Sequence, residues 1–179
     1  MKITLIQGSP HKQGASNILA DQFRVGAKEA GHEVIPFDAA QVKISPCIAC
    51  EYCHTNNRGI CCQKYDMEHL RGLILSSEMV VFATPLYFFN MSAQMKTVVD
   101  RMYSFLDKMA VQVKKTALIV AANNPNPHIM DCIVMNYLSI VNFLGVQNAG
   151  MVLASGCGTP ELAKRSTFPK LAYELGKSL

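Results

Sequence analysis

The chain has 179 residues, a formal net charge of +4, half its residues apolar and only 17% charged. That length suits one well-covered core, burying roughly 70% of the surface an unfolded chain exposes, and the absence of a Pro, Gly or Ser run excludes an internal linker or a disordered tail. Lys and Arg are scattered, MKITLIQGSP is too short in its apolar part for a signal peptide, and no apolar run approaches membrane-spanning length; the expectation is a cytoplasmic protein that engages neither nucleic acid nor membrane.

In chain order, Ile3 to Gln7 predicts a buried strand, and Ile18, Leu19, Phe23, Ala27 and Ala30 recur at helical spacing up to Gly31. Glu33 to Phe37 predicts a second strand. After a cysteine-rich stretch, Asp66 is placed to cap a helix ending at Leu75, and Glu78 to Ala83 predicts a short buried strand stopping at Thr84-Pro85. Ser92 opens a helix whose apolar face is Met95, Val98, Val99, Met102 and Leu106. Thr116 to Ala122 predicts a fourth strand, Ile129 to Leu144 a helix, Gln147 to Ala154 a fifth strand and Leu171 to Leu179 a closing amphipathic helix. Strands alternating with helices imply a parallel sheet covered on both faces. The expected fold is α/β: a flavodoxin-like, three-layer doubly wound sandwich with a five-stranded parallel sheet ordered 2-1-3-4-5, one domain over residues 1–179 with a cysteine-rich insertion at about 45–65.

Such a sheet binds ligands beyond the carboxyl ends of its strands, at the switch point between the first and third, where a mononucleotide such as FMN sits. The first loop, GSPHKQGAS, joins a strand to a helix N-terminus, whose free N–H groups and dipole suit a phosphate. Its spacing fits neither a Walker loop nor a dinucleotide fingerprint, leaving Ser9, Ser16 and Asn17 as neutral donors, His11 and Lys12 as cations and Gly14 to relieve the turn. The third-strand loop carries Pro85, Leu86, Tyr87, Phe88, Phe89, Asn90 and Met91, apolar and aromatic where loops are usually polar. A flat heteroaromatic ring needs such a floor with a few placed donors; core or dimer-interface packing is the alternative for any one of these aromatics.

GSPHKQGASNIL, PCIACEYCHTNNRGICCQKYDM, ATPLYFFNMSAQMKTVVDR, FLGV and the terminal ELGKSL together resemble the NAD(P)H-dependent FMN reductase and iron-sulfur flavoprotein branch of the flavodoxin-like superfamily, over nearly the whole length. The resemblance carries phosphate binding onto Ser9, Ser16 and, by neighbourhood, Asn17. It also matches Pro85 and Tyr87 to a Pro-x-Tyr loop, and Lys96, Asp100 and Arg101 to a helix signature read as structural. His11 stands where the family has Arg and Ala15 where it has Asn, which implies a weaker or more pH-sensitive phosphate grip. With FMN bound, Tyr87 and Phe88 are expected to bound the ring, backbone N–H groups around Asn90 and Asn123 to meet its pyrimidine edge, and Asn124 to orient whatever stacks above. No catalytic side chain is expected, because the cofactor carries the chemistry.

Cys47, Cys50, Cys53 and Cys61 give C-x2-C-x2-C-x7-C, a spacing that lets thiolates converge on one metal centre. The resemblance includes iron-sulfur flavoproteins, in which such a motif holds a [4Fe-4S] cluster that exchanges electrons with FMN; zinc suits the single run of three less well, and free thiols are the remaining reading. Cys132, Cys157 and Cys62 are read as small packing residues. Three functions stay open: an NAD(P)H-consuming FMN oxidoreductase passing electrons to a small-molecule acceptor or a redox protein, an iron-sulfur flavoprotein carrier, and a thiol or metal redox sensor. The family implies a homodimer or homotetramer, and the Leu86 to Met91 stretch suits that contact.

Overall fold

In the computed structural model, which describes residues 1–55, 59–63 and 65–179, β1 (Lys2–Gln7) leads into α1 (Ala15–Glu29) and then β2 (Glu33–Asp38). The cysteine-rich stretch, part of which lies outside the described residues, contains the single turn α2 (Tyr52–Thr55). There follow α3 (Met67–Leu75), β3 (Met79–Tyr87), β4 (Asn90–Met91), α4 (Ala93–Met102), α5 (Leu106–Gln112), β5 (Lys115–Ala121), α6 (Asp131–Leu144), β6 (Gln147–Ala154), α7 (Pro160–Arg165) and α8 (Phe168–Lys177). The parallel strands run in the order β2-β1-β3-β5-β6, which is the expected 2-1-3-4-5 once the two-residue β4, antiparallel on the end of β3, is set aside.

The central strands are apolar on both faces because helices cover both. Val80 and Phe82 of β3 and Leu118 and Val120 of β5 face a core shared with α3, α4 and α6, which supply Leu70, Met95 and Tyr137. The alternate residues Met79, Val81, Ala117 and Ile119 face α1 and α8, through Leu19, Phe23 and Ala172. α1 and α8 approach closely at two glycines: a Cβ on Gly26 would stand 2.0 Å from the Tyr173 carbonyl oxygen, and one on Gly176 2.2 Å from that of Phe23.

Several boundaries differ from the sequence reading. Asp66 does precede α3, but its carboxylate accepts from the Lys43 amide (2.8 Å) instead of capping the helix, so it ties the end of the cysteine-rich stretch to the chain entering it. β3 continues through Thr84 and Pro85 to Tyr87 before turning back into β4. The apolar stripe from Met95 to Leu106 is broken by a 3₁₀ turn at Tyr103–Phe105, which puts Leu106 at the start of α5. The C-terminal region holds two helices, since Thr159 caps α7 through the Leu162 amide (3.3 Å) and Ser166 ends it. Cys132 and Cys62 are exposed, so neither is a packing residue; Cys157 is buried. Among the described residues no helix is long and apolar enough to cross a membrane.

Candidate functional site

Beyond the carboxyl ends of the strands lies a cleft of about 470 Å³, a usual size for a cofactor pocket. It is lined by Ser9 to Ser16 of the first loop apart from Pro10, by Pro85, Leu86 and Tyr87 at the end of β3, by Ala121 at the end of β5 and Asn123 after it, and by Cys157 to Pro160 after β6.

The first loop is built to leave donors free. The Ser9 hydroxyl takes part in a turn with His11, accepting from its amide and donating to its carbonyl (both 3.2 Å), while the Gly14 amide donates to the same carbonyl (2.8 Å). Gly14 must lack a side chain, because a Cβ would lie 2.9 Å from Ser9 Oγ. It is also the N-cap of α1, extended (φ −68°, ψ 161°) and without a side-chain cap, and no acid sits in the first turn, so the positive end of the helix faces the cleft uncompensated. On that first turn the Ser16 hydroxyl is buried with no hydrogen-bond partner. Such a hydroxyl leaves a desolvation penalty unmet until a ligand supplies the partner, and a terminal phosphate at a helix N-terminus does so. Asn17 does different work: its side-chain amide donates to the His11 and Lys12 carbonyls (3.2 Å each) and braces the loop from behind.

Ser92 joins this loop to the second wall. Its hydroxyl donates to the Gly8 carbonyl (2.6 Å) and accepts from the Met95 amide, capping α4, while its own amide donates to Thr84 Oγ1 (3.0 Å). The end of β3 is thereby fixed against the first loop. Tyr87 pairs with Asn90 across a two-residue hairpin whose turn residues, Phe88 and Phe89, both have positive φ (48° and 67°). This is a turn geometry that usually takes Asn-Gly. Phe88 is 96% exposed at the tip.

Of the sequence-selected residues, the cleft brings together Ser9, His11, Lys12, Gly14, Ser16, Pro85, Leu86, Tyr87 and Asn123. Asn17, Phe88, Asn90 and Asn124 do not line it: Asn17 braces the first loop, Asn90 accepts from the Met91 amide within the hairpin, and Asn124 accepts from the Asn126 amide in its own loop. The wall from Cys157 to Pro160 was missed by the sequence reading. Gly158 is essential to it, since a Cβ there would lie 2.0 Å from Asn123 Oδ1. The Thr-Pro pair at 159–160, a helix-start signal, could have located it.

Cys47, Cys50, Cys53 and Cys61 line one small cavity of about 20 Å³ together with Arg101. Cys53 and Cys61 are buried and Cys47 and Cys50 exposed, with Cys50 Sγ 3.5 Å from the Sγ of Cys62. The Tyr52 amide, and after it Cys62, draws the Cys50 thiol below its ordinary value, whereas burial pushes Cys53 up. Among the described residues no three His, Cys, Asp or Glu side chains are gathered as they would be around a single metal ion. A larger opening of about 510 Å³ lies beside this loop, lined by Val99, Met102, Tyr103, Ile140, Phe143 and others. Its walls are mostly apolar, the charged residues among them are the acids Glu51 and Asp100, and no described Lys, Arg or His lines it, so it offers a phosphate nothing.

The family model described as NADPH-dependent FMN reductase matches residues 1–154. An iron-sulfur flavoprotein of Archaeoglobus fulgidus is 34% identical over 120 residues, 67% of this chain and 54% of that protein. The chain spans about half the length of this and the other iron-sulfur flavoproteins it matches. Among solved structures, an NAD(P)H:quinone oxidoreductase from Methanothermobacter marburgensis is similar with a TM-score of 0.74 at 14% identity, over 99% of this chain and 95% of that one. An FMN-dependent NADH-azoreductase from Bacillus anthracis str. Ames Ancestor in complex with FMN has a TM-score of 0.70 at 16% identity, over 99% of both chains. At those identities the likeness is one of fold.

Proposed function

The chain belongs to the NADPH-dependent FMN reductase family, and on that premise we propose that its cleft holds FMN and that it oxidises NAD(P)H, delivering the electrons to a second acceptor, a small molecule or a redox protein. The observation that carries this reading is the buried, unpartnered hydroxyl of Ser16 at the uncapped N-terminus of α1, opening onto the same cleft as Tyr87. Bound there, FMN supplies a centre that accepts a hydride and releases electrons one or two at a time. The chain's own residues position it. Ser9, Ser16 and the amides of the first loop take the phosphate, with Lys12 and His11 at the exposed rim; Pro85, Leu86 and Tyr87 make the apolar wall for the rings, and Asn123 faces them from the end of β5. Tyr87 is 44% exposed, which leaves the wall open to a second ring stacked from solvent. The exposed aromatic tip at Phe88 and Phe89 supports a homodimer or homotetramer packed around the cleft mouth.

The test is anaerobic addition of NADPH or NADH to FMN-loaded protein. Bleaching of the flavin bands, followed by their return on adding a quinone, is the expected result; bands unchanged by either nucleotide would leave a carrier rather than a reductase.

A second reading places a [4Fe-4S] cluster on Cys47, Cys50, Cys53 and Cys61. It is favoured by their shared cavity beside a buried cation, and by the iron-sulfur flavoproteins among the relatives. As they stand, no three of these thiols are gathered as around a metal ion and the space between them is about 20 Å³, so seating a cluster requires the loop to rearrange. Anaerobic reconstitution with ferrous iron and sulfide, followed by iron analysis and visible absorbance, tests it separately from the flavin.

A further inference from the structure

Cys50 and Cys62 are both exposed, and their Sγ atoms lie 3.5 Å apart although twelve positions separate them in sequence. The fold imposes this approach. The buried Arg101 donates to the Ser45 carbonyl (2.7 Å) and to the Gln63 carbonyl (2.6 Å), and the Gln63 side-chain amide donates to the Pro46 carbonyl (2.9 Å). The stretch entering the cysteine-rich loop is thereby clasped to the stretch leaving it, and Cys62 adjoins the clasp. Cys50 sits in backbone of an uncommon kind: its neighbours Ala49 and Glu51 both have positive φ (52° and 55°), a conformation that side chains with a Cβ seldom adopt. Such backbone persists only where its surroundings hold it, and it gathers at functional positions. Here the Glu51 carbonyl accepts from the amides of His54 and Thr55 (3.0 Å each), which starts the turn of α2. The neighbouring thiols are less available, since Cys53 and Cys61 are buried and Cys47 Sγ accepts from the Ala49 amide (3.4 Å).

We infer that Cys50 and Cys62 are a thiol-disulfide exchange site, a dithiol that reduces a low-molecular-weight disulfide and is left as a disulfide between these two residues. Neither sulfur lines the FMN cleft, so the site goes beyond the flavin reading and does not rest on it. One protein thiolate attacks the small disulfide RS-SR, forming a mixed disulfide and releasing one RS⁻. The neighbouring thiolate then attacks the protein sulfur of that mixed disulfide, forming the bond between Cys50 and Cys62 and releasing the second RS⁻. Two protein thiols are oxidised, RS-SR takes the two electrons, and the two protons leave with the two RSH. A disulfide bond is about 2 Å long, so the sulfurs have only about 1.5 Å left to close. An exposed thiol with a resolving partner at hand is the arrangement that such exchange requires. The bond also withdraws Cys50 from the four-cysteine set of the second reading, which makes the pair and a cluster alternatives for that sulfur.

The experiment treats the reduced full chain, with a chelator present and air excluded, with glutathione disulfide as the probe. After an acid quench the free thiols are blocked, and peptide mass spectrometry reads which cysteines are joined. The expected result is a link between Cys50 and Cys62 at least tenfold more abundant than any other pairing, with two glutathiones released per chain and none retained. Cys62→Ser leaves the four-cysteine set intact, and it is expected to stop at a mixed disulfide with one glutathione held on Cys50. In urea the preference for this pairing should disappear, because the fold sets it. No link in wild type, links from Cys50 to Cys47 or Cys53 as abundant as that to Cys62, or glutathione retained on both cysteines would overturn the inference. Iron held through the chelator with Cys50 protected from the probe would overturn it as well, in favour of the cluster. None of these readouts depends on flavin, so the failure of this inference and the failure of the FMN reading are told apart.

Discussion

The Ser92 hydroxyl donates to the Gly8 carbonyl at 2.6 Å across 84 positions of sequence, so the loop that leaves β1 and the helix that follows the β3 hairpin meet at one buried atom. The same oxygen caps α4 by accepting from the Met95 amide. Replacing Ser92 with Ala removes the cap and orphans a buried carbonyl. A loss of about 1–3 kcal/mol is expected, measured by urea unfolding of the flavin-free protein, with a weaker grip on FMN because the phosphate loop and the ring wall lose their shared anchor.

Ser16 should behave in the opposite way. Its hydroxyl is buried without a partner in the flavin-free protein, so Ser16→Ala is expected to leave unfolding stability unchanged or raise it by about 1 kcal/mol. FMN affinity should fall roughly tenfold or more, the worth of a hydrogen bond to a charged group. Fluorescence titration and denaturant unfolding on the same preparation separate the two effects.

The contact of α1 with α8 admits no side chain at Gly26 or Gly176. A Cβ on Gly26 would meet the Tyr173 carbonyl carbon at 2.9 Å as well as its oxygen at 2.0 Å, and backbone cannot turn aside as a side chain can. Gly26→Ala is expected to destabilise by on the order of 3 kcal/mol, read as a lowered urea midpoint. Gly72→Ala in α3, where nothing lies within 4 Å, is the control and should be neutral or slightly stabilising.

The same helix pair carries a pH-dependent term. The Tyr173 hydroxyl first, and the Lys177 ammonium second, hold the Glu29 carboxyl below its ordinary 4.5. A carboxyl whose folded pKa is depressed adds stability above its unfolded pKa, and that contribution is lost as pH falls through the folded value. Wild type should therefore exceed Glu29→Gln in stability at neutral pH, and the gap should close as the pH falls below the ordinary carboxylate range. Unfolding curves for both proteins from pH 7 to pH 3 check the sign; a gap that widens on acidification would contradict it.

Much of this fold was legible because its strands are continuous apolar runs and its helices carry regular stripes; Met79 to Ala83 and Thr116 to Ala121 could hardly be anything but buried parallel strands. The first loop was legible for the same reason, as a Gly-Ser-Pro break between two such elements. What escaped depends on contacts made at a distance. Phe88 and Phe89 occupy left-handed turn positions that no local signal of the Asn-Gly kind announces, so Phe88 was assigned to the ring and stands in solvent. Asp66 looks like a cap, but its carboxylate is taken by Lys43, which its sequence neighbours cannot reveal. Arg101 reads as part of a structural helix signature, but that it is buried, donating to the Ser45 and Gln63 carbonyls, depends on the loop that folds over it.

The central claim is that the loop after β1 grips the phosphate of FMN. Titration of the flavin-free protein with FMN and with riboflavin, followed by flavin fluorescence, tests it most directly. The account predicts one FMN per chain, with riboflavin bound roughly 100-fold more weakly and Ser16→Ala narrowing the difference. Equal affinity for the two flavins, or none for either, would contradict it.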